Sequence, residues 1–236
     1  MKTKLQKMLL GAGNWLLPPT CSACQSTISD LDYPFCNNCY TTLPFQRYGC
    51  GKCGQVFAAN QDYCGRCISK PPPFDECFCP YQYASPISEQ IRDFKYHQRP
   101  ELARPLAQIL AREILANQLD LPDLLVPVPM HLSRLANRGY NQSVRLAQEL
   151  GRILDIEANH KLLIKKHKTT PQAKLTLKQR STNLKGSFSI KRSIQASRVA
   201  IIDDVVTTGA TAAEIAKILK RNGVDYVQVW GIAHTV

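Results

Sequence analysis

Apolar residues recur at helical spacing over residues 87–97, 101–117 and 142–154 of this 236-residue chain. Elsewhere they gather into short runs rich in β-branched side chains, DLLVPVP (123–129), RVAIID (198–203) and YVQVWGI (226–232), which predict buried strands. Between the last two runs, TAAEIAKILKRNG (211–223) sets Ala212, Ile215, Ala216 and Leu219 on one face and Glu214, Lys217, Lys220 and Arg221 elsewhere, with Asn222-Gly223 as the helix stop. Strand, helix, strand in that order is a βαβ unit. The region from residue 80 onward is therefore expected to be α/β, a parallel sheet flanked by helices.

The first 80 residues follow neither period. MLLGAGNWLL (8–17), preceded by Lys2, Lys4 and Lys7, is too short to cross a bilayer and ends at Pro18-Pro19 without a small-residue cleavage pattern. It predicts a short amphipathic helix packed on the rest of the protein, with membrane contact as the lesser alternative, no stable membrane insertion and a cytosolic location. Eight of the ten cysteines then fall into four CxxC pairs, Cys21/Cys24, Cys36/Cys39, Cys50/Cys53 and Cys64/Cys67. Such pairs point to metal ligation in a reducing compartment, not to a secreted disulfide framework.

Two CxxC turns supply the four soft ligands of tetrahedral zinc, and four thiolates leave no open position for catalysis, so a structural role is expected. The repeat favours two sequential sites, with an interleaved cross-brace as the alternative. Cys77 and Cys79 in ECFCPYQY read as strand residues, and SKPPPF (69–74) as a stiff connector. The division expected is a zinc module over 1–79 and an α/β domain over 80–236. GCGKCG (49–54) matches the dinucleotide pattern GxGxxG but contains two zinc ligands and follows no strand, so it is rejected.

Charge changes the picture further. Net charge is +12, and one acid-free stretch, 158–198, carries 11 Lys and Arg. A run of this kind is self-repelling without an anionic partner. Against that excess, VAIIDDVVTTGAT (199–211) places two acids, Asp203 and Asp204, at the carboxyl end of a buried strand, where open α/β sheets bind ligands. The TTGAT that follows turns into a helix whose first amides lack internal partners, a cradle for phosphate. Acids beside a phosphate cradle suit a ligand with vicinal hydroxyls, Mg2+ nearby and a phosphate.

The stretch resembles the 13-residue signature of type I phosphoribosyltransferases. Together with VPVPMHLSRLANRGYNQS (126–143), TTPQAKLTLKQRSTNLKGSF (169–188) and the four-cysteine module, it is similar to the ComF competence family, including its GntX-like members. The resemblance implies a phosphoribosyltransferase-like fold that binds phosphoribosyl pyrophosphate with Mg2+. Asp203 and Asp204 would take the ribose hydroxyls, directly or through Mg2+, and are the candidate catalytic acids. Thr207, Thr208, Gly209, Ala210 and Thr211 would wrap the 5-phosphate, with Val205 also among the ligand-binding residues. Arg134 and Arg138 would face the pyrophosphate, with ordinary surface charge an equal alternative. Lys174, Lys178 and Arg180 lie on a segment matching the loop that closes over the ligand in related enzymes. Lys95, Tyr96 and His97 either line the acceptor side or form a helix face.

The resemblance also implies a role in natural transformation and use of external DNA, with DNA-uptake or recombination proteins as further partners. Lys161, Lys165, Lys166, Lys168, Lys174, Lys178, Arg180 and Lys185 are the candidate contacts to single-stranded DNA. Phe188 is the only Phe, Tyr or Trp in the basic stretch, so binding through backbone charge is expected. The competing reading is a free-standing phosphoribosyltransferase acting on a nucleobase-like acceptor, with no DNA role.

Overall fold

The computed structural model describes residues 20–28, 34–57, 62–166 and 186–235. The expected N-terminal helix lies outside these residues, as do Lys168, Lys174, Lys178, Arg180 and Lys185. The chain forms two compact units, Met1–Leu43 and Pro44–Val236.

The two cysteine ribbons repeat one local design. In the first unit, Cys21 N–H donates to Ser26 O and Gln25 N–H to Cys21 O, while Cys36 N–H donates to Cys21 Sγ at 3.3 Å. Cys36 caps helix α1 (Asn37–Thr41). In the second unit, Cys50 N–H donates to Gln55 O, Gly54 N–H to Cys50 O, and Cys64 N–H to Cys50 Sγ at 3.3 Å, and Cys64 caps helix α2 (Gly65–Ser69). The residue after each first CxxC takes a left-handed backbone, Gln25 with φ 61° and Gly54 with φ 73°. At residue 54 only glycine fits, because a Cβ would stand 3.0 Å from Cys77 Sγ and 3.1 Å from His234 Cδ2. The second ribbon is thus pressed against the sheet.

That sheet belongs to the same unit. The elements follow in order as β1 (Glu76–Phe78), β2 (Tyr81–Gln82), α3 (Ile87–Tyr96), a 3-10 turn (Pro100–Leu102), α4 (Ala103–Ala116), β3 (Leu124–Pro127), α5 (Leu132–Arg138), α6 (Gln142–Leu154), β4 (Glu157–Ala158), β5 (Leu163–Lys165), β6 (Phe188–Ile190), β7 (Arg198–Val206), α7 (Ala210–Arg221) and β8 (Tyr226–His234). The sheet order is β1-β8-β7-β3-β4, with β2 also on β8, and every pairing in it is parallel. The fold class read from the sequence is the one observed. Cys77 is a strand residue, buried with Cys79.

Burial on both faces explains the near-continuous apolar strands. Val199 and Ile201 of β7 and Val227 and Val229 of β8 pack with Ile215, Ala216 and Leu219 of α7. The alternate residues Ala200, Ile202 and Trp230 are fully buried. They face the opposite way, where α4 and α6 cover the sheet. Phe74, the end of the proline stretch, is buried in the α7-side core, and Asp75 N–H donates to Val227 O. Strands β5 and β6 form a separate antiparallel hairpin whose Leu163 and Phe188 close the same core.

Because the second ribbon shares hydrogen bonds with the sheet, including Cys77 N–H to Gly51 O at 3.0 Å, its metal supports the sheet as well as the ribbon. Cys64→Ser is expected to lower zinc stoichiometry by one ion and the unfolding midpoint by on the order of 10 °C. Metal analysis beside thermal melts of the full chain checks both, and an unchanged midpoint would contradict the coupling.

Candidate functional site

Strand β7 continues past both acids to Val206, paired through Val205 to Ala233 and Val206 to His234, so the acids are held by the sheet and not by a turn. They form one wall of a cavity of about 650 Å³ at the carboxyl ends of the strands. The loop after β3 (Val128, Pro129, Met130, His131), Arg134 and Arg138 of α5, Lys95 and Tyr96 of α3, Tyr83 after β2 and Thr235 after β8 also line it. The cavity brings Asp203, Asp204, Val205, Thr207, Gly209, Ala210 and Thr211 together with both candidate arginines. Thr208 does not line it. Its Oγ1 instead accepts from Ala210 N–H at 3.4 Å, inside the loop.

The phosphate loop turns at Gly209, whose φ of 69° favours glycine and where a Cβ would meet the Phe74 ring at 3.3 Å. Helix α7 then begins, and Ala213 N–H to Gly209 O at 2.8 Å is its first internal bond of this type. The start of α7 thus lines the cavity through Gly209, Ala210, Thr211 and Ala212, and a helix start favours an anion.

Adjacent residues on a strand point to opposite faces, so the two acids meet different partners. Asp204 is buried and its Oδ1 lies 2.9 Å from Lys95 Nζ. Asp203 Oδ1 accepts from Ser143 Oγ at 3.1 Å and from Asp204 N–H at 3.0 Å. Burial, then repulsion from Asp204, pushes the Asp203 carboxyl up to about 7, against the pull of Lys95 and its two hydrogen bonds. Burial works to lower the Lys95 pKa, but the attraction of Asp204 prevails and raises it, so the ammonium stays charged.

RGYNQS (138–143) proves to be the frame of this arrangement. Asn141 caps α6 by accepting from Ser143 N–H, and its Nδ2 donates to Val128 O at 3.0 Å, tying the helix start to the loop after β3. Tyr140 Oη donates to Phe94 O, Gln142 Nε2 donates to Lys95 O at 3.3 Å, and the Arg138 guanidinium stacks 4.7 Å above the Tyr96 ring. Three consecutive residues of α3 are thus gripped, with Lys95 in the middle. Arg138 also donates to Gln142 Oε1 at 3.2 Å.

Of the described residues proposed from sequence as DNA contacts, Lys165 lines the cavity, while Lys161 and Lys166 do not. Burial, then the nearby Arg134 cation, lowers Lys165 to about 8, and Asp203 opposes the shift. His97, the third candidate for the acceptor side, turns away and pairs with Asp93 at 2.9 Å on an exposed helix end. The roles of Ser143, Tyr140 and Gln142 were not assigned from sequence; RGYNQ carried the signal, but its contacts are long-range.

The eight paired cysteines form two sets, Cys21/Cys24/Cys36/Cys39 and Cys50/Cys53/Cys64/Cys67, each with all sulfurs within 4.8 Å of one another. Pairing is sequential, and the chemistry of four thiolates fits structural zinc. No helix among the described residues is long and apolar enough to cross a membrane.

The double zinc ribbon domain family matches residues 12–87. The chain is similar to the DNA utilization protein YhgH of Escherichia coli (strain K12), 35% identical over 224 residues, which are 93% of this chain and 99% of that protein. It is also similar to competence protein F of Haemophilus influenzae, 34% identical over 220 residues, 90% of this chain and 96% of that protein. Among solved structures, a purine phosphoribosyltransferase from Pyrococcus horikoshii Ot3 is similar at a TM-score of 0.34 and 17% identity, over 60% of this chain and 88% of that one.

Asp203 offers a direct check on the site's electrostatics. Its pKa rises from 3.8 to about 7 on folding, so its protonated form favours the folded state. That stability is present below pH 4 and is lost as pH rises through about 7. Asp203→Asn is expected to gain stability over the unmodified protein progressively across this window, with a constant difference above it. Denaturant melts from pH 4 to 8.5 measure the difference, and a flat profile would contradict the assigned shift.

Proposed function

Because the chain belongs to the ComF competence family of DNA-utilization proteins, we propose that it serves DNA uptake in the cytosol, binding phosphoribosyl pyrophosphate in the cavity and single-stranded DNA through its basic segment. The observation that supports the ligand is the meeting of two carboxylates, a glycine-hinged helix start and four cations, Lys95, Arg134, Arg138 and Lys165, around one cavity. A phosphorylated ribose matches it end to end. Asp203 accepts from the vicinal hydroxyls, residues 207–211 cradle the 5-phosphate, and Arg134, Arg138 and Lys165 meet the pyrophosphate.

Mg2+ binds through one or two carboxylates together with substrate phosphates, in near-octahedral geometry. Asp204 is already matched by Lys95, and among the described residues the groups of three or more metal-ligating side chains are the two cysteine sets. The acid pair therefore does not fit a resident Mg2+; the ion would arrive on the pyrophosphate, where it supplies neutralisation of charge.

Single-stranded DNA fits the acid-free stretch 158–198, and its contacts are assigned to Lys161, Lys166 and the cations at 168–185. A second reading, transfer of phosphoribose to a nucleobase-like acceptor, is favoured by the shifted Asp203 and Lys165 and by Tyr83 and Tyr96 in the lining. In that reading the three cations at the pyrophosphate end stabilise the leaving group as its bond to C1 of the ribose breaks.

Asp203→Asn with Asp204→Asn is expected to abolish thermal stabilisation by phosphoribosyl pyrophosphate while leaving zinc content intact; retained stabilisation would refute the site. For DNA, affinity is expected to fall with log salt by roughly 0.7 per phosphate contacted, and Lys161→Gln with Lys166→Gln to reduce the slope by about 1.4. Fluorescence anisotropy of a labelled single strand measures this, and a slope near zero would remove DNA from the proposal. Pyrophosphate release on addition of candidate bases tests the second reading.

A further inference from the structure

Lys95 is an unusual neighbour for a sugar-binding acid pair. Its side chain is only 20% exposed, its ammonium sits 2.9 Å from Asp204 Oδ1, and Asp204 itself is 9% exposed at its side chain. A lysine in this position is not a surface charge that happened to find a partner. Its backbone carbonyl accepts from Gln142, and the residues on either side are held by Tyr140 and by the Arg138 stack. Three residues of one short segment, Arg138, Tyr140 and Gln142, thus hold the stretch of backbone that carries this ammonium group.

Two adjacent carboxylates beside a phosphate-binding loop would repel the ligand that the loop attracts. A divalent cation is one remedy, but it must shed water and find several oxygens. Here the inner carboxylate already has its cation, and the outer one, Asp203, has Oδ1 engaged by Ser143 and the Asp204 amide. An ammonium carries three donors, so Lys95 can hold Asp204 and still donate to a hydroxyl oxygen of the ligand.

We propose that Lys95 is the resident counter-cation of the acid pair, doing at the diol end of the ligand what a divalent metal would otherwise have to do. The site then binds a phosphorylated sugar with a vicinal diol without metal at the hydroxyls, and any Mg2+ stays with the pyrophosphate. Lys95 is in this sense a positioning and specificity-determining residue. The inference rests on the phosphoribosyl reading for its ligand, but not for the ion pair.

The test uses the full-length, zinc-loaded protein in two arms. In the first, ribose 5-phosphate, which has no pyrophosphate to carry a metal, is titrated calorimetrically with and without Mg2+. The unmodified protein is expected to bind it equally in both conditions, within about twofold, and to bind 2-deoxyribose 5-phosphate roughly tenfold more weakly. Lys95→Met is expected to lose roughly tenfold or more in affinity without metal, to recover part of that loss with Mg2+, and Lys95→Arg to retain metal-free binding. A tenfold gain from Mg2+ in the unmodified protein, or metal-free binding by Lys95→Met at full strength, would overturn the inference.

The second arm needs no sugar. Mn2+ binding is followed by electron paramagnetic resonance, with Lys95→Met expected to gain a site that the unmodified protein lacks and that Asp204→Asn removes again. Equal Mn2+ binding by the unmodified protein and Lys95→Met would overturn the counter-cation role. Failure of ribose 5-phosphate to bind under every condition, with the Mn2+ result as expected, would refute the phosphoribosyl reading and leave the counter-cation role standing. Zinc content and circular dichroism verify folding, and Lys95→Gln replaces Lys95→Met in both arms should the latter not fold.

Discussion

Two carboxylates at the end of a buried strand set the terms for the rest of the site. Taking an ionised carboxylate out of water is expensive unless charge or hydrogen bonds replace the water. The strand alternation that separates Asp203 from Asp204 forces two different answers. Asp204 receives an ammonium at 2.9 Å, and Asp203 receives a hydroxyl and an amide, which is too little to keep its pKa low. One acid is therefore satisfied by the protein and the other is left in want of donors. A sugar diol has two.

Meeting that demand explains elements far from it in sequence. Helix α3 must deliver Lys95, and the segment from Arg138 to Ser143 both grips α3 and hands Ser143 to Asp203. The loop after β3 is pinned by Asn141 to the same helix start. The walls made by α3, the loop after β3, the start of α6 and the two acids are consequently one connected frame. Such preorganisation makes a site whose charges are placed before the ligand arrives.

The parts legible in the sequence were those with short-range causes. Strand β7, helix α7 and strand β8 announce themselves because both strands are buried on two faces and the helix on one, leaving near-continuous and 3.6-periodic apolar patterns. The zinc ligands were legible because CxxC fixes two sulfurs within one knuckle, whereas the choice between sequential and cross-brace pairing was not, since it depends on which sulfurs the fold gathers. What Lys95 does was not legible. It lies over a hundred residues before Asp204, and nothing local distinguishes it from the helix-face lysine that its spacing equally allows. Likewise Gly54 and Gln25 occupy the same turn in the repeat, and only the sheet behind the second ribbon shows why one of them must be glycine.

The acid-free run is one segment but not one surface. Lys165 and Lys166 are neighbours in the acid-free run, but β5 ends at Lys165 and Lys166 lies beyond it. Lys165 enters the cavity beside Arg134 and Asp203, where its pKa falls to about 8, while Lys166 stays off the cavity lining and bonds through its backbone to Ser187. A run that composition presents as a single polyanion site thus gives up one cation, at the end of a three-residue strand, to the small-ligand cavity. The two functions argued for this protein therefore draw on different members of one basic run, Lys165 for the cavity and Lys161 and Lys166 off its lining.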